Sequence, residues 1–87
     1  MRVMRVVLFQ EHDFWFAQGL EHDICVRGKT IKEVKINFQI AVRLESEEGL
    51  DRISPAPKRF HDMWDIKSGD LVSKDSESSG IEYGIAA

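Results

Sequence analysis

The triplet Glu-His-Asp occurs twice in this chain of 87 residues, and it brings together side chains that bind metal ions and transfer protons. The copies are Glu11-His12-Asp13 and Glu21-His22-Asp23, and His61-Asp62 adds a third pair of imidazole and carboxylate. Imidazole and carboxylate groups are common ligands of transition metals. One hypothesis is therefore a small metal-dependent nuclease or hydrolase whose ligands are His12, Asp13, His22 and Asp23.

The same two triplets have a simpler interpretation as turns. Each follows a segment of strand-forming residues, at positions where Asp and other polar residues satisfy local backbone groups. Neither triplet carries a pattern of supporting residues around metal ligands. Cys25 stands between Ile24 and Val26, which is typical of a packing residue rather than a nucleophile. We therefore predict no enzymatic activity, no catalytic residue, and no metal or other cofactor.

Three short strands are predicted to position these turns. Residues 3–10 and 14–16 are dense in β-branched and aromatic types, and residues 24–26 form a third such run. The first two strands make a hairpin. Along the second strand, Trp15 faces away from Phe14 and Phe16, so its ring is a candidate contact for a partner.

A helix is predicted to begin at Thr30. The spacing of Thr30 and Glu33 is that of a capping box, and Gly49 provides a glycine at which the helix can end after residue 47 or 48. One apolar stripe of this helix is expected to pack on the sheet; its members are Ile31, Val34, Phe38, Ala41 and Val42.

A second apolar stripe, Ile36, Ile40 and Leu44, lies on roughly the opposite side of the same helix. A helix that packs on one sheet cannot bury both stripes against it. Two covers for the second stripe remain open: the C-terminal segment of the chain or a second protein chain.

The C-terminal part of the sequence is less regular. Ser54-Pro55-Ala56-Pro57 interrupts the chain, and a short second helix over residues 58–65 is expected to dock by Phe60 and Trp64. The alternation of apolar residues near residue 83 is consistent with an edge strand, but the Ser, Gly and acidic content favours a loose tail. The predicted units are 1–53, 54–67 and an acidic tail, 68–87.

Size and charge narrow the function classes. A chain this short buries a modest core, so it gains from association with other subunits. Cys25 is the one cysteine, which excludes an intramolecular disulfide and is typical of a reducing, cytoplasmic protein. The sequence shows neither a membrane span nor a signal peptide. The net charge of −3 arises within 68–87, so the neutral body makes DNA binding by this chain doubtful.

The order strand, turn, strand, strand, capped helix resembles the HicB-like antitoxins of toxin–antitoxin pairs. The resemblance covers about residues 3–47 and is carried by Gly28-Lys29-Thr30-Ile31-Lys32-Glu33-Val34, by Ile40-Ala41-Val42 in the helix, and by the run at 55–64. The usual Pro-Gly-Cys-like approach to the third strand is replaced by residues 20–25. The resemblance implies a partial ribonuclease-H-like fold without catalytic carboxylates. It also implies that this chain binds a small ribonuclease toxin of the HicA type and blocks the active site of the toxin.

The sequence therefore predicts an α+β domain, a three-stranded antiparallel sheet packed on one long helix, that acts as a non-catalytic antitoxin. A solitary homo-oligomeric regulator without a toxin is the alternative. Because a toxin that binds RNA is basic, the acidic residues of 68–87 are expected to steer its approach. The residues expected at a partner or oligomer interface are Trp15, Ile36, Ile40, Leu44, Phe60 and Trp64.

Overall fold

The computed structural model describes residues 4–67, 72–75 and 80–86. The chain forms five strands and two α-helices with a 3₁₀ helix between them. In chain order these are β1 (Met4–Glu11), β2 (Phe14–Gly19), β3 (Cys25–Gly28), α1 (Ile31–Ser46), the 3₁₀ helix (Leu50–Arg52), α2 (Lys58–Lys67), β4 (Val72–Asp75) and β5 (Ile81–Ala86). The predicted α+β class is confirmed.

The five strands form one mixed sheet in the order β3-β2-β1-β5-β4. The predicted antiparallel meander is present, because β1 pairs with β2 and β2 with β3 in that sense. On the other side of β1 lies β5, which runs parallel to it from Met4 opposite Ile81 to Phe9 opposite Ala86. β4 pairs with β5 antiparallel at the edge.

The strand β5 is the main difference from the sequence-based expectation of three strands and a loose tail. Ile81 and Tyr83 are buried beside β1, so residues 81–86 belong to the sheet interior. The polar residues that precede them in the sequence favoured a loose tail, although this segment is a strand whose partner is 77 residues away. A parallel partner has to be brought back by a long connection, which local alternation cannot reveal.

Helix α1 begins as predicted, and it ends at Ser46, slightly before the predicted end at residue 47 or 48. Thr30 has extended backbone angles, and its hydroxyl accepts a hydrogen bond from the Glu33 amide at 3.0 Å. The Glu33 carboxylate reaches back to the amide of Lys29, at 3.3 Å, rather than to that of Thr30. Past the C-terminal end, Gly49 has a φ of 95°, a conformation that favours glycine.

The two α-helices lie on opposite faces of the sheet. Val34 and Phe38 of α1 pack with one set of strand side chains that includes Val6, Leu8 and Tyr83. Phe60 and Trp64 of α2 pack with the other set, formed by Val7, Leu20 and Ala86. Side chains of a strand alternate between faces, so β1 supplies both cores.

Close contact between α2 and the sheet depends on Gly84 in β5. A Cβ atom placed on Gly84 would lie 2.8 Å from Cζ3 of the Trp64 ring. The indole therefore rests on the glycine of the neighbouring strand, beside Val7, which is the register partner of Gly84. This contact fixes the position of α2.

Candidate functional site

The second stripe of α1 remains uncovered in the described part of the chain. Ile36, Ile40 and Leu44 are 49%, 51% and 59% exposed. The helical part of the C-terminal segment does not cover the stripe, because α2 occupies the opposite face of the sheet. Exposed apolar side chains that form one continuous row are typical of a binding surface.

The three aromatic residues predicted at an interface have different surroundings. Phe60 and Trp64 are 9% and 8% exposed and pack inside the chain against the sheet. Their docking on the sheet is therefore intramolecular. Trp15 is half-buried and packs against the cluster beneath α1, so part of its ring remains accessible.

The side chains of the second Glu-His-Asp triplet form hydrogen bonds within the chain, and that of His22 contacts the segment that connects α1 to α2. The Glu21 carboxylate accepts hydrogen bonds from the amide and Nε of Arg5, at 2.8 and 2.6 Å. Nδ1 of His22 lies 3.1 Å from the carbonyl oxygen of Ile53. The Asp23 carboxylate accepts from Nε2 of the buried Gln18 at 2.7 Å. These three side chains are engaged in structural hydrogen bonds.

The first triplet is the turn of the β1–β2 hairpin. Glu11 faces Phe14 in the ladder, and His12 has a φ of 57° in the left-handed region, where His is among the less disfavoured residues. The six residues of β2 separate this turn from the second triplet, a length of about 20 Å. Within the described residues, no group of three or more His, Cys, Asp or Glu is placed to hold a metal ion.

A groove of about 520 Å³ lies on the α2 face, between the first helical turns of α2 and strands β1, β2 and β3. Phe9 and Phe16 are direct partners across the strands, with ring centroids 5.4 Å apart. Phe60 continues this stack, 5.9 Å from Phe9. Because α2 covers mainly β1 and β5, Phe9 and Phe16 remain partly exposed.

Charged groups flank the stacked rings of Phe9, Phe16 and Phe60. The carboxylates of Glu11 and Asp23 belong to the lining, and so does Arg59, whose guanidinium lies 4.6 Å from the Phe60 ring centroid. The lining residues therefore include two carboxylates and one guanidinium. Rings flanked by carboxylates suit a positively charged side chain, since carboxylates pair with guanidinium groups and ring faces attract cations.

Cys25 was expected to be a packing residue, but it is exposed and lines the groove. Desolvation, and secondly the charge of Asp23, raise the pKa of this thiol above its ordinary value. A nucleophilic cysteine needs the opposite shift, together with a nearby base. The described residues that line the groove include no histidine.

The pattern of residues in the sequence did not predict this groove. The alternation of Phe14, Trp15 and Phe16 indicated that the two phenylalanines share a face, but not that Phe9 joins them. The hairpin register supplies that fact, because a two-residue turn at His12 and Asp13 sets Phe9 against Phe16. A two-residue turn at His12 and Asp13 was therefore the sequence feature from which this part of the groove could have been predicted.

Among the described residues, no helix is both long and apolar enough to cross a membrane. No protein-family model, curated protein or solved structure matches this chain.

Proposed function

We propose that this chain is a non-catalytic, cytoplasmic binding protein of the antitoxin kind, which neutralises a small HicA-type ribonuclease by covering its active site. The observation that carries the proposal is the groove on the α2 face. It combines accessible aromatic rings with the carboxylates of Glu11 and Asp23. A ribonuclease binds RNA through basic side chains, and such side chains fit this lining.

Three other observations support the proposal. The β-β-β-α order and the capped helix that carry the resemblance to HicB-like antitoxins are present. Asp23 is fixed by Gln18, which lowers the entropy lost on binding. The thiol of Cys25, with its raised pKa, favours the neutral and unreactive form. The groove is therefore better suited to hold a basic loop than to process a substrate.

The proposal predicts that a small basic protein is encoded beside this chain, and the test begins with that protein. Its expression alone should cleave RNA and arrest growth, and co-expression of this chain should restore growth and give a stable purified complex. A neighbouring protein that is not toxic, or a toxic one that this chain neither binds nor inhibits, would refute the proposal.

Charge substitutions then locate the surface that binds the toxin. Glu11→Lys should weaken toxin binding about 10- to 100-fold, since it replaces an attractive charge with a repulsive one. Asp13→Lys is the matched control, because Asp13 is exposed in the adjacent turn and does not line the groove. Arg59→Glu should tighten the complex. Equal effects of the Glu11 and Asp13 changes would exclude the groove as the binding surface.

The acidic residues of 68–87 keep their predicted role in steering, but a deletion cannot test it. Removal of 68–87 takes away β5, whose side chains are part of both cores, and the domain would unfold. Asp70 and Glu77 lie outside the described residues, and Asp75 is in β4. Joint substitution of these three by Asn or Gln should lower the association rate constant and its salt dependence, as measured by stopped-flow mixing with the toxin.

A further inference from the structure

The exposed stripe of α1 lies on the face of the sheet opposite the groove, so the proposed toxin site leaves it uncovered. Ile36, Ile40 and Leu44 are spaced by four residues and form a single ridge along the helix. The ridge is symmetric about Ile40, since one apolar residue lies one turn before it and another lies one turn after it. A surface with this symmetry can match a second copy of itself.

The charges at the two ends of the helix are complementary. Lys29 and Lys32 are exposed at the N-terminal end, and Glu47 and Glu48 are exposed at the C-terminal end, beyond the exposed Arg43 of the last helical turn. The carboxylate of Glu33, which is also near the N-terminal end, is directed back to the Lys29 amide. An antiparallel pair of such helices places lysines opposite glutamates at both ends, whereas a parallel pair places like charges together.

We propose that two copies of this chain form a symmetric dimer through antiparallel packing of α1 on α1, with the two-fold axis at Ile40. Ile36 of each copy then packs against Leu44 of the other. Lys32 of each copy approaches Glu47 of the other. The dipoles of the two helices are opposed in this arrangement, which also favours antiparallel over parallel packing.

The small area of the stripe sets the strength of this dimer. Three half-exposed side chains in each copy bury less than the roughly 800 Å² per partner of a standard interface. We therefore expect a dissociation constant of about 10–100 μM. Sedimentation equilibrium between 2 and about 500 μM covers this range, and a chain that stays monomeric throughout would overturn the proposal.

Ile40→Glu tests the centre of the interface. It places two carboxylates at the two-fold axis, and it should raise the dissociation constant at least 100-fold, beyond about 1 mM. Circular dichroism checks that the fold is retained, which we expect because Ile40 is on the helix surface. A dimer that persists in Ile40→Glu would exclude the stripe.

A charge exchange tests the antiparallel orientation. Lys32→Glu and Glu47→Lys should each weaken the dimer about 3- to 10-fold, and the double variant should restore it. Each single change also favours the dipole of its own helix, so loss of the dimer cannot be attributed to loss of the helix. Failure of the double variant to restore association would overturn the antiparallel arrangement.

Arg59→Glu is the matched control for Lys32→Glu. It makes the same change of charge on α2, across the sheet from the stripe, and should leave the dissociation constant unchanged. The dimer is measured without any toxin. Its failure would therefore leave the proposed antitoxin function intact, and absence of toxin binding would leave the dimer intact.

Discussion

Apolar side chains spaced by four residues have opposite surroundings in the two helices. Phe60 and Trp64 of α2 are buried, whereas Ile36 and Ile40 of α1 are about half-exposed. Helix α1 has two apolar stripes and only one neighbouring sheet face, and its other stripe, which includes Phe38, takes that face. Helix α2 has a single stripe and takes the second face. Burial of a stripe is thus decided by the sheet surface that remains available, not by the spacing alone.

Among the substitutions that test this comparison, removal of the Trp64 side chain should have the largest effect on the free energy of unfolding. Trp64→Ala should lower the free energy of unfolding by about 3–5 kcal/mol, because a large ring leaves the core over Gly84. Ile40→Ala, on the exposed stripe, should change it by less than about 0.5 kcal/mol. Urea unfolding at 1–2 μM protein, roughly tenfold below the expected dimer dissociation constant, makes this comparison. Similar losses in both variants would contradict the assignment of one buried and one exposed stripe.

The next effect concerns the glycine beneath the indole. Gly84→Ala should cost about 1–3 kcal/mol, since its methyl group would overlap the Trp64 ring. Combined with Trp64→Leu, the same substitution should cost much less, because the smaller side chain leaves room. Additive losses in this double-mutant cycle would show that Gly84 does not act through Trp64.

The sequence predicted the parts of the fold that depend on neighbouring residues. Thr30 and Glu33 predicted the start of α1, and the strand-forming runs around His12 and Asp13 predicted the hairpin. It did not predict β5, because Ile81 and Tyr83 are buried only through pairing with β1, which is distant in the sequence. The groove was missed for the same reason, since Phe9, Phe16 and Phe60 come from three elements whose packing is set by the whole sheet.

The two Glu-His-Asp triplets extend the comparison to turns, with a smaller expected effect. His22→Ala removes the hydrogen bond to the Ile53 carbonyl and should cost about 1 kcal/mol. His12→Gly should be neutral or stabilise by up to about 0.5 kcal/mol, because glycine adopts the positive φ of this turn without strain. Thermal unfolding monitored by circular dichroism measures both. Equal losses would contradict the structural difference between the triplets.

The smallest effect is on the chemistry of Cys25. Its raised pKa means that less thiolate is present at a given pH, so alkylation by iodoacetamide at pH 8 should be slower than in an unfolded peptide. Asp23→Asn removes the charge that contributes to this rise; it should lower the pKa and speed alkylation. Asp13→Asn, away from the groove, is the control. An unchanged pH–rate profile in Asp23→Asn would exclude that contribution.

The parallel pairing of β1 with β5 has a consequence for synthesis of the chain. The ribosome releases residues 4–11 early, but their partner on one side, residues 81–86, emerges only after the intervening elements. Until then β1 has an open edge able to pair with another nascent chain. Helix α1 also lacks the buried contacts with Ile81 and Tyr83 during this interval. Completion of the domain is therefore coupled to completion of translation through residue 86, and truncated products should be readily degraded.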